Sequence, residues 1–290
     1  MIISKICGGL GNQMFQYAIA RAMALRNHGI FKLDISFYAQ QSLRRYELGE
    51  FYIEERTASR QEIQRLRGGF EVVRKVALRL GLTLPRPKSY KAERQITAFD
   101  KDVYYSRGDV YLDGYWQNES YFKEIRDVIT QDFSARKGIS REAEKYRRSI
   151  EHNSKMSVSI HVRRGDYVSN KHTNSIHGVC SIDYYRRATE YMTSMLGGRL
   201  EFYVFSDDIP WCIQNLDFIE NRVLVYDTKN SVDDLMLMKT CQHNIIANSS
   251  FSWWGAWLND NPDKIVVSPA TWVVSNPHGL TWVPSDWLQL

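Results

Sequence analysis

Short apolar runs separated by stretches of helical period recur along this chain, most regularly beyond residue 154. Val158, Ile160 and Val162 occupy alternate places in 157–162, the period of a strand. Further strands are predicted at 201–205, 222–226, 244–247 and 264–267. Between them the spacing turns helical, over 182–196, from Pro210 onward, over 232–241 and over 250–258. Five strands alternating with helices predict a parallel, doubly wound sheet.

The first half is less regular. A strand is predicted at 2–6, then the loop Gly8-Gly9-Leu10-Gly11-Asn12-Gln13, then a helix over 14–25 built from good helix formers with a continuous apolar face. A second strand, 31–34, ends in Asp34. Residues 40–105 are charged, rich in Arg, Gln and Tyr, and poorly periodic. Within them 59–80 predicts one or two amphipathic helices, closed by Pro85-Arg86-Pro87. Strand character returns at 110–117, and Asn118-Glu119-Ser120 starts a helix with Phe122, Ile125, Val128 and Ile129 on one face. A charged helix at 140–150 leads into a polar linker at 151–155. The domains are therefore expected at 1–153 and 154–290.

With 290 residues, 43% of them hydrophobic and 24% charged, the chain is long enough for two such domains. Its net charge of +5 fits a polyanionic small ligand or a negatively charged membrane surface, and is too small to argue for nucleic acid. The first six residues are too short an apolar run for a signal peptide. No stretch approaches the roughly eighteen apolar residues of a membrane span. Cys7, Cys180, Cys212 and Cys241 form no CxxC pair, so buried thiols in a reducing compartment are expected, not a zinc site or a disulfide framework. The expected location is the cytoplasm, with the inner face of the membrane as its extension.

Chemistry concentrates at predicted strand ends. His161-Val162-Arg163-Arg164-Gly165-Asp166 follows the strand at 157–162. In a parallel sheet ligands bind at that end, and paired guanidiniums suit phosphate. The alternative is a surface cluster of Arg–Asp ion pairs. Ser206, Asp207 and Asp208 follow the next strand. A carboxylate there could accept from the N1–H and amine of guanine, or could cap the helix opening at Ile209-Pro210. Asn248, Ser249, Ser250, Phe251 and Ser252 stand where a helix begins, a phosphate site in which no lysine is needed. Together these groups describe a pocket for a guanine nucleotide diphosphate. No P-loop occurs, and no DxD with metal-ligand surroundings stands out. In the first half, the glycine loop presents backbone N–H groups to an anion or a sugar, with Asn12 and Gln13 at the helix start, able to face a substrate or to cap the helix; the alternative is a tight turn capped by Asn12. Tyr115 and Trp116, beside Gly114, could form an exposed platform for a sugar ring, although core packing is the commoner role of such aromatics. Gly9-Leu10-Gly11 with Asp34 also permits a dinucleotide fingerprint, although Met14 replaces its third glycine.

The loop at 8–18, His161-Val162-Arg163-Arg164-Gly165-Asp166, Phe205-Ser206-Asp207-Asp208 and the segment 248–255 resemble the motifs of the alpha-1,2-fucosyltransferases of glycosyltransferase family 11. Gly114-Tyr115-Trp116-Gln117 is similar to a further family segment. The resemblance spans almost the whole chain and is poorest over 40–105, where acceptor choice is expected to lie. It implies an α/β, GT-B-like fold, two Rossmann-like domains facing a cleft, with the acceptor on the first and the GDP-sugar on the second. It implies GDP-beta-L-fucose as donor, no cofactor, no metal, and inversion to an alpha-1,2 linkage on a terminal galactose of a bacterial surface glycan such as O-antigen. The expected site residues follow. Arg163, Asp166 and Asn12 are catalytic, with Asp166 either a base or an orienter of the arginines. The donor is held by His161, Arg163, Arg164, Ser206, Asp207, Asp208, residues 248–252, Gly11 and Gln13, and the acceptor by Tyr115, Trp116 and Gln117. Two rival functions remain at this stage: a nicotinamide-dependent oxidoreductase using the first loop, and a non-catalytic glycan-binding protein.

Overall fold

Two parallel sheets organise the chain, one in Met1–Ser134 and one in Ala135–Leu290. The structure, a computed structural model, describes residues 1–290 apart from 41–43, 70, 83–84, 96, 170–174, 176–177 and 274–282, and apart from the side chains of 40, 71–73, 75, 166 and 169.

In the first unit β1 (Ile2–Lys5), α1 (Leu10–Arg26) and β2 (Phe31–Asp34) are followed by α2 (Arg60–Arg67), α3 (Glu71–Arg79), β3 (Tyr90–Ala92), α4 (Lys101–Tyr104), β4 (Val110–Asp113) and α5 (Arg126–Asp132). The strand order is β2-β1-β4-β3, all parallel. From β1 the chain winds outward to β2, then returns on the other side through β3 and β4, so the direction of winding switches between β1 and β4. The core is aromatic: Tyr17 lies edge-on to Phe31 and against Phe133, which in turn meets Phe51. Of the one or two helices expected over 59–80, the structure has two. The first is opened by a capping box in which Ser59 Oγ accepts the Glu62 N–H while the Glu62 carboxylate accepts the Ser59 N–H. Strand β3, in the stretch with no clear period, has only three residues and none fully buried.

The second unit contains α6 (Arg141–His152), β5 (Met156–Val162), α7 (Gly165–Ser169), α8 (Ile182–Leu196), β6 (Leu200–Ser206), α9 (Ile209–Asn215), β7 (Arg222–Val225), α10 (Ser231–Thr240), β8 (His243–Ile245), α11 (Ser250–Trp257), β9 (Val266–Ser268) and β10 (Leu288–Gln289). Its sheet runs β10-β9-β8-β5-β6-β7, all parallel. The five predicted strands are all present, joined by a short sixth. β5 is central and covered on both faces. Val158, Ile160 and Val162 pack with Tyr184, Tyr185 and Met192, while on the opposite side Ser159 Oγ accepts from Asn244 Nδ2 at 2.7 Å. The chain winds from β5 through β6 to β7, then crosses to β8, so the winding reverses between β5 and β8.

The domain division differs from the expected 153/154. Helix α6 belongs to the second unit: the Ser140 N–H donates to Asp233 Oδ1 at 2.9 Å, and Ser149 Oγ meets Tyr203 Oη at 2.9 Å. Its buried Ala143 and Ile150 supply an apolar stripe that the charged exterior of the helix hides in the sequence. No described helix is long and apolar enough to cross a membrane.

Candidate active site

In an open parallel sheet the crevice for a ligand lies beyond the carboxyl ends of the strands where the winding reverses. In the second unit that point lies between β5 and β8. The loop after β5 carries Arg163 and Arg164, and the segment after β8 carries Asn248 and Ser249. β6 pairs with β5 on the other side, with Val162 level with Ser206, which brings Asp207 and Asp208 to the same edge. His161, the last residues of β6 and the start of α11 thus converge as expected.

Within this edge the arginines are held by the acids. Arg163 Nη1 lies 2.8 Å from Asp207 Oδ2. The Arg164 backbone N–H donates to Asp207 Oδ1 at 2.8 Å, and Arg164 Nε donates to Asp208 Oδ2 at 3.1 Å. Asp208 also caps α9, its Oδ1 accepting the Trp211 N–H at 3.2 Å. Both carboxylates therefore already serve the protein. Orientation of the two guanidiniums and capping are roles the two acids fill beside the guanine contact expected of them. Ser206 Oγ accepts the Asp208 N–H at 2.9 Å, so it shapes the turn. Gly165 is required by the close approach: a Cβ there would lie 2.6 Å from Asp207 Oδ2.

His161 is 5% exposed, its ring 5.7 Å from that of Phe251, and its Nδ1 is buried without a hydrogen-bond partner. Burial, then the neighbouring Arg163 charge, pulls its imidazole down to about 4. It is a neutral ring at physiological pH. At the start of α11, Ser249 Oγ accepts the Phe251 N–H, and Ser252 Oγ turns back onto the carbonyls of Ser249 and Ala247. Asn248 is buried, its Nδ2 near the Trp272 and Gly178 carbonyls and its Oδ1 near Cys180. These three side chains build the loop at the helix start, where N–H groups of the first turn favour an anion. Asp166 lies on α7, and its side chain is outside those described.

The first sheet repeats this logic. Its reversal point lies between β1, which leads into the glycine loop, and β4, which leads into Gly114-Tyr115-Trp116-Gln117. Across it Gln117 Nε2 donates to Asn12 Oδ1 at 2.7 Å. Gly8, at φ +81°, must be glycine: a Cβ would lie 2.8 Å from Asn12 Nδ2. Helix α1 starts at Leu10 with Gly9 as N-cap and no side-chain cap, so neither Asn12 nor Gln13 caps it. Gln13 is fully buried and spans the carbonyls of Gly8 and Arg45 and the N–H of Glu47. Its expected donor contact gives way to fastening the loop, while Gly11 is buried at the helix start.

The exposed aromatic platform is corrected. Trp116 is fully buried, edge-on to Tyr121 at 5.9 Å, and only Tyr115 is exposed, at 38%. The backbone explains it. Trp116 has φ +56°, and the Glu93 carboxylate accepts the N–H groups of both Tyr115 and Trp116, turning the indole inward. The dinucleotide alternative also fails locally. Asp34 is 1% exposed and accepts the Tyr111 O–H at 2.6 Å, and Met14 is fully buried in the third glycine's place.

Several participating side chains were not singled out from the sequence. Tyr167 lies 5.6 Å from the Arg163 guanidinium and donates to the Asn248 carbonyl at 3.3 Å, linking the two loops of the crevice. Its place four residues after Arg163 is the one available signal. Trp211 carries the Arg164 guanidinium at 4.2 Å. Gln16, which reaches the Cys7 N–H and the Gly114 carbonyl, has only its place in the 8–18 motif as a signal, and Glu93 has none.

Two parallel α/β units with side-chain clusters at their winding reversals define a GT-B-like glycosyltransferase fold. Among solved structures, Arabidopsis thaliana FUT1 in complex with GDP shares it, with a TM-score of 0.51 over 91% of this chain and 69% of that one, at 9% identity. The model of glycosyl transferase family 11 matches residues 82–280. The chain is 34% identical to an Escherichia coli alpha-1,2-colitosyltransferase over 94% of this chain and 92% of that protein. It is also 34% identical to the Escherichia coli O-antigen biosynthesis glycosyltransferase WbnK over 99% of each. The chain belongs to glycosyl transferase family 11.

Proposed function

We propose that this glycosyltransferase moves L-fucose from GDP-beta-L-fucose to the 2-hydroxyl of a terminal galactose, forming an alpha-1,2 linkage in a bacterial surface glycan. The observation that carries the donor side is the carboxylate-held pair Arg163 and Arg164 at the reversal point of the second sheet. Guanidiniums oriented in advance neutralise a diphosphate without reorganisation when the sugar leaves. In the transfer the galactose hydroxyl oxygen bonds to the anomeric carbon from the face opposite the diphosphate. The bond from that carbon to the phosphate oxygen breaks, its electron pair stays on GDP, and the hydroxyl proton leaves to Asp166 or to water. An oxocarbenium-like transition state lowers the demand for a strong base. Neutral His161 lies buried at the same sheet edge, beside the Arg163 charge. Asn12, Gln117 and Tyr115 are assigned to sugar contacts.

The similarity to a colitosyltransferase favours a second donor reading, since colitose is a fucose lacking one hydroxyl. A site built to hydrogen-bond a hydroxyl strongly rejects the analogue without it, whereas an apolar pocket discriminates weakly. Incubation with GDP-fucose and GDP-colitose side by side, against a panel of galactosides, with NMR of the product linkage, tests the reading. Turnover of GDP-fucose to an alpha-1,2-linked product supports it. Exclusive use of GDP-colitose, or a different linkage, overturns it.

A further inference from the structure

From Arg60 to Arg94 the sequence carries ten Lys and Arg against three Asp and Glu, a local net charge of +7 in a chain whose total is +5. The same stretch sends aliphatic side chains outward. Val76, Leu78, Leu80 and Leu82 are 50, 67, 71 and 60% exposed, while Ala77 between them is buried and fastens α3 to its unit. Among the described residues no other run of seven exposes four large aliphatic side chains.

The cluster has a defined shape. The Leu82 N–H donates to the Ala77 carbonyl at 2.8 Å and the Gly81 N–H to that of Leu78 at 3.1 Å, with Gly81 at φ +74°. This is a Schellman closure, which holds Leu78, Leu80 and Leu82 around a helix end. Arg74 reinforces it from the helix, donating to the Pro85 carbonyl at 2.9 Å, so the returning chain is tied back. Exposed Arg79 stands inside the apolar group.

We infer that this helix end is a docking surface for an anionic lipid bilayer. Aliphatic side chains surrounded by cations are the composition that inserts shallowly at the headgroup boundary and gains from anionic lipid. A second copy of the chain would bring +7 against +7, which like-charge repulsion opposes. The inference does not rest on the identity of the donor or acceptor sugar.

The test is flotation of the full chain with phosphatidylcholine vesicles, with and without about a third phosphatidylglycerol, at low salt and at about 0.5 M salt. Binding is expected to the anionic vesicles at low salt, and to be at least about tenfold weaker on neutral vesicles or at high salt. The double substitution Leu78→Glu with Leu80→Glu should lower binding by about tenfold or more while leaving the melting temperature unchanged, since both positions are exposed. Arg79→Glu should weaken binding in the same direction and provides a single-site control. No binding of the unaltered chain, or equal binding by the double variant, overturns the inference. So does a dimer in sedimentation that the double variant abolishes, which would make this face a protein interface.

Discussion

Asp207 holds two consecutive arginines at once: its Oδ2 lies 2.8 Å from Arg163 Nη1, and its Oδ1 accepts the Arg164 backbone N–H at 2.8 Å. The carboxylate therefore fixes both a guanidinium and the turn that presents it. Asp207→Asn keeps the shape but removes the charge and one acceptor. GDP affinity and transfer should fall together, each by about tenfold or more, because a misdirected guanidinium weakens both. Calorimetric titration of GDP beside an activity assay checks this. Loss of transfer with GDP binding intact would assign Asp207 a role other than orienting Arg163.

Gly165 makes the contact possible. Gly165→Ala places a methyl against Asp207 Oδ2, and relief requires the carboxylate to move away from Arg163. Transfer should drop by about tenfold or more while the fold survives with a loss of about 1–3 kcal/mol, the usual range for overpacking. A melting curve and a kcat/KM on one sample distinguish this from global unfolding.

The buried imidazole gives a pH signature. His161 titrates at about 4 in the fold against an ordinary 6.5, because burial and Arg163 oppose its charge. Between those values the unfolded chain binds a proton that the folded chain refuses. The contribution is therefore complete above about 6.5 and lost as pH falls through 4, on the order of 3 kcal/mol. Asp234 acts oppositely: burial raises it to about 6, so its contribution fades as pH rises from 3.8. The measurement is consequently a difference. Stability against pH in the unaltered chain, minus that in His161→Gln, should climb from pH 4 to 6.5. A flat difference would show that His161 is not held neutral.

Both sheets and most helices were legible because buried parallel strands leave short apolar runs between helical periods. Strand β5 and helix α8 fall within one residue of their predicted bounds. What escaped was local and set by tertiary contact. Trp116 faces inward because Glu93, distant in sequence, captures two backbone N–H groups, and no local pattern encodes that turn. The domain boundary moved because the apolar stripe of α6 is only Ala143 and Ile150 among charges. The cluster at 161–166 could be placed at a strand end from sequence alone. That Asp207 and Asp208 orient its arginines depends on the β5–β6 register, which a sequence does not state.

Leaving-group stabilisation by fixed guanidiniums does not call for a divalent cation, so transfer should persist in excess EDTA. Activity lost to EDTA and restored by magnesium or manganese would displace the arginines from that role.

The most direct measurement of the central claim is GDP titrated into the unaltered chain and into Arg163→Lys, with transfer assayed on the same samples. Lysine keeps the charge but cannot present a planar fork to two phosphate oxygens. The account predicts GDP affinity lowered by about tenfold or more, and kcat and kcat/KM both reduced by about a hundredfold. Unchanged affinity and turnover in Arg163→Lys would contradict it.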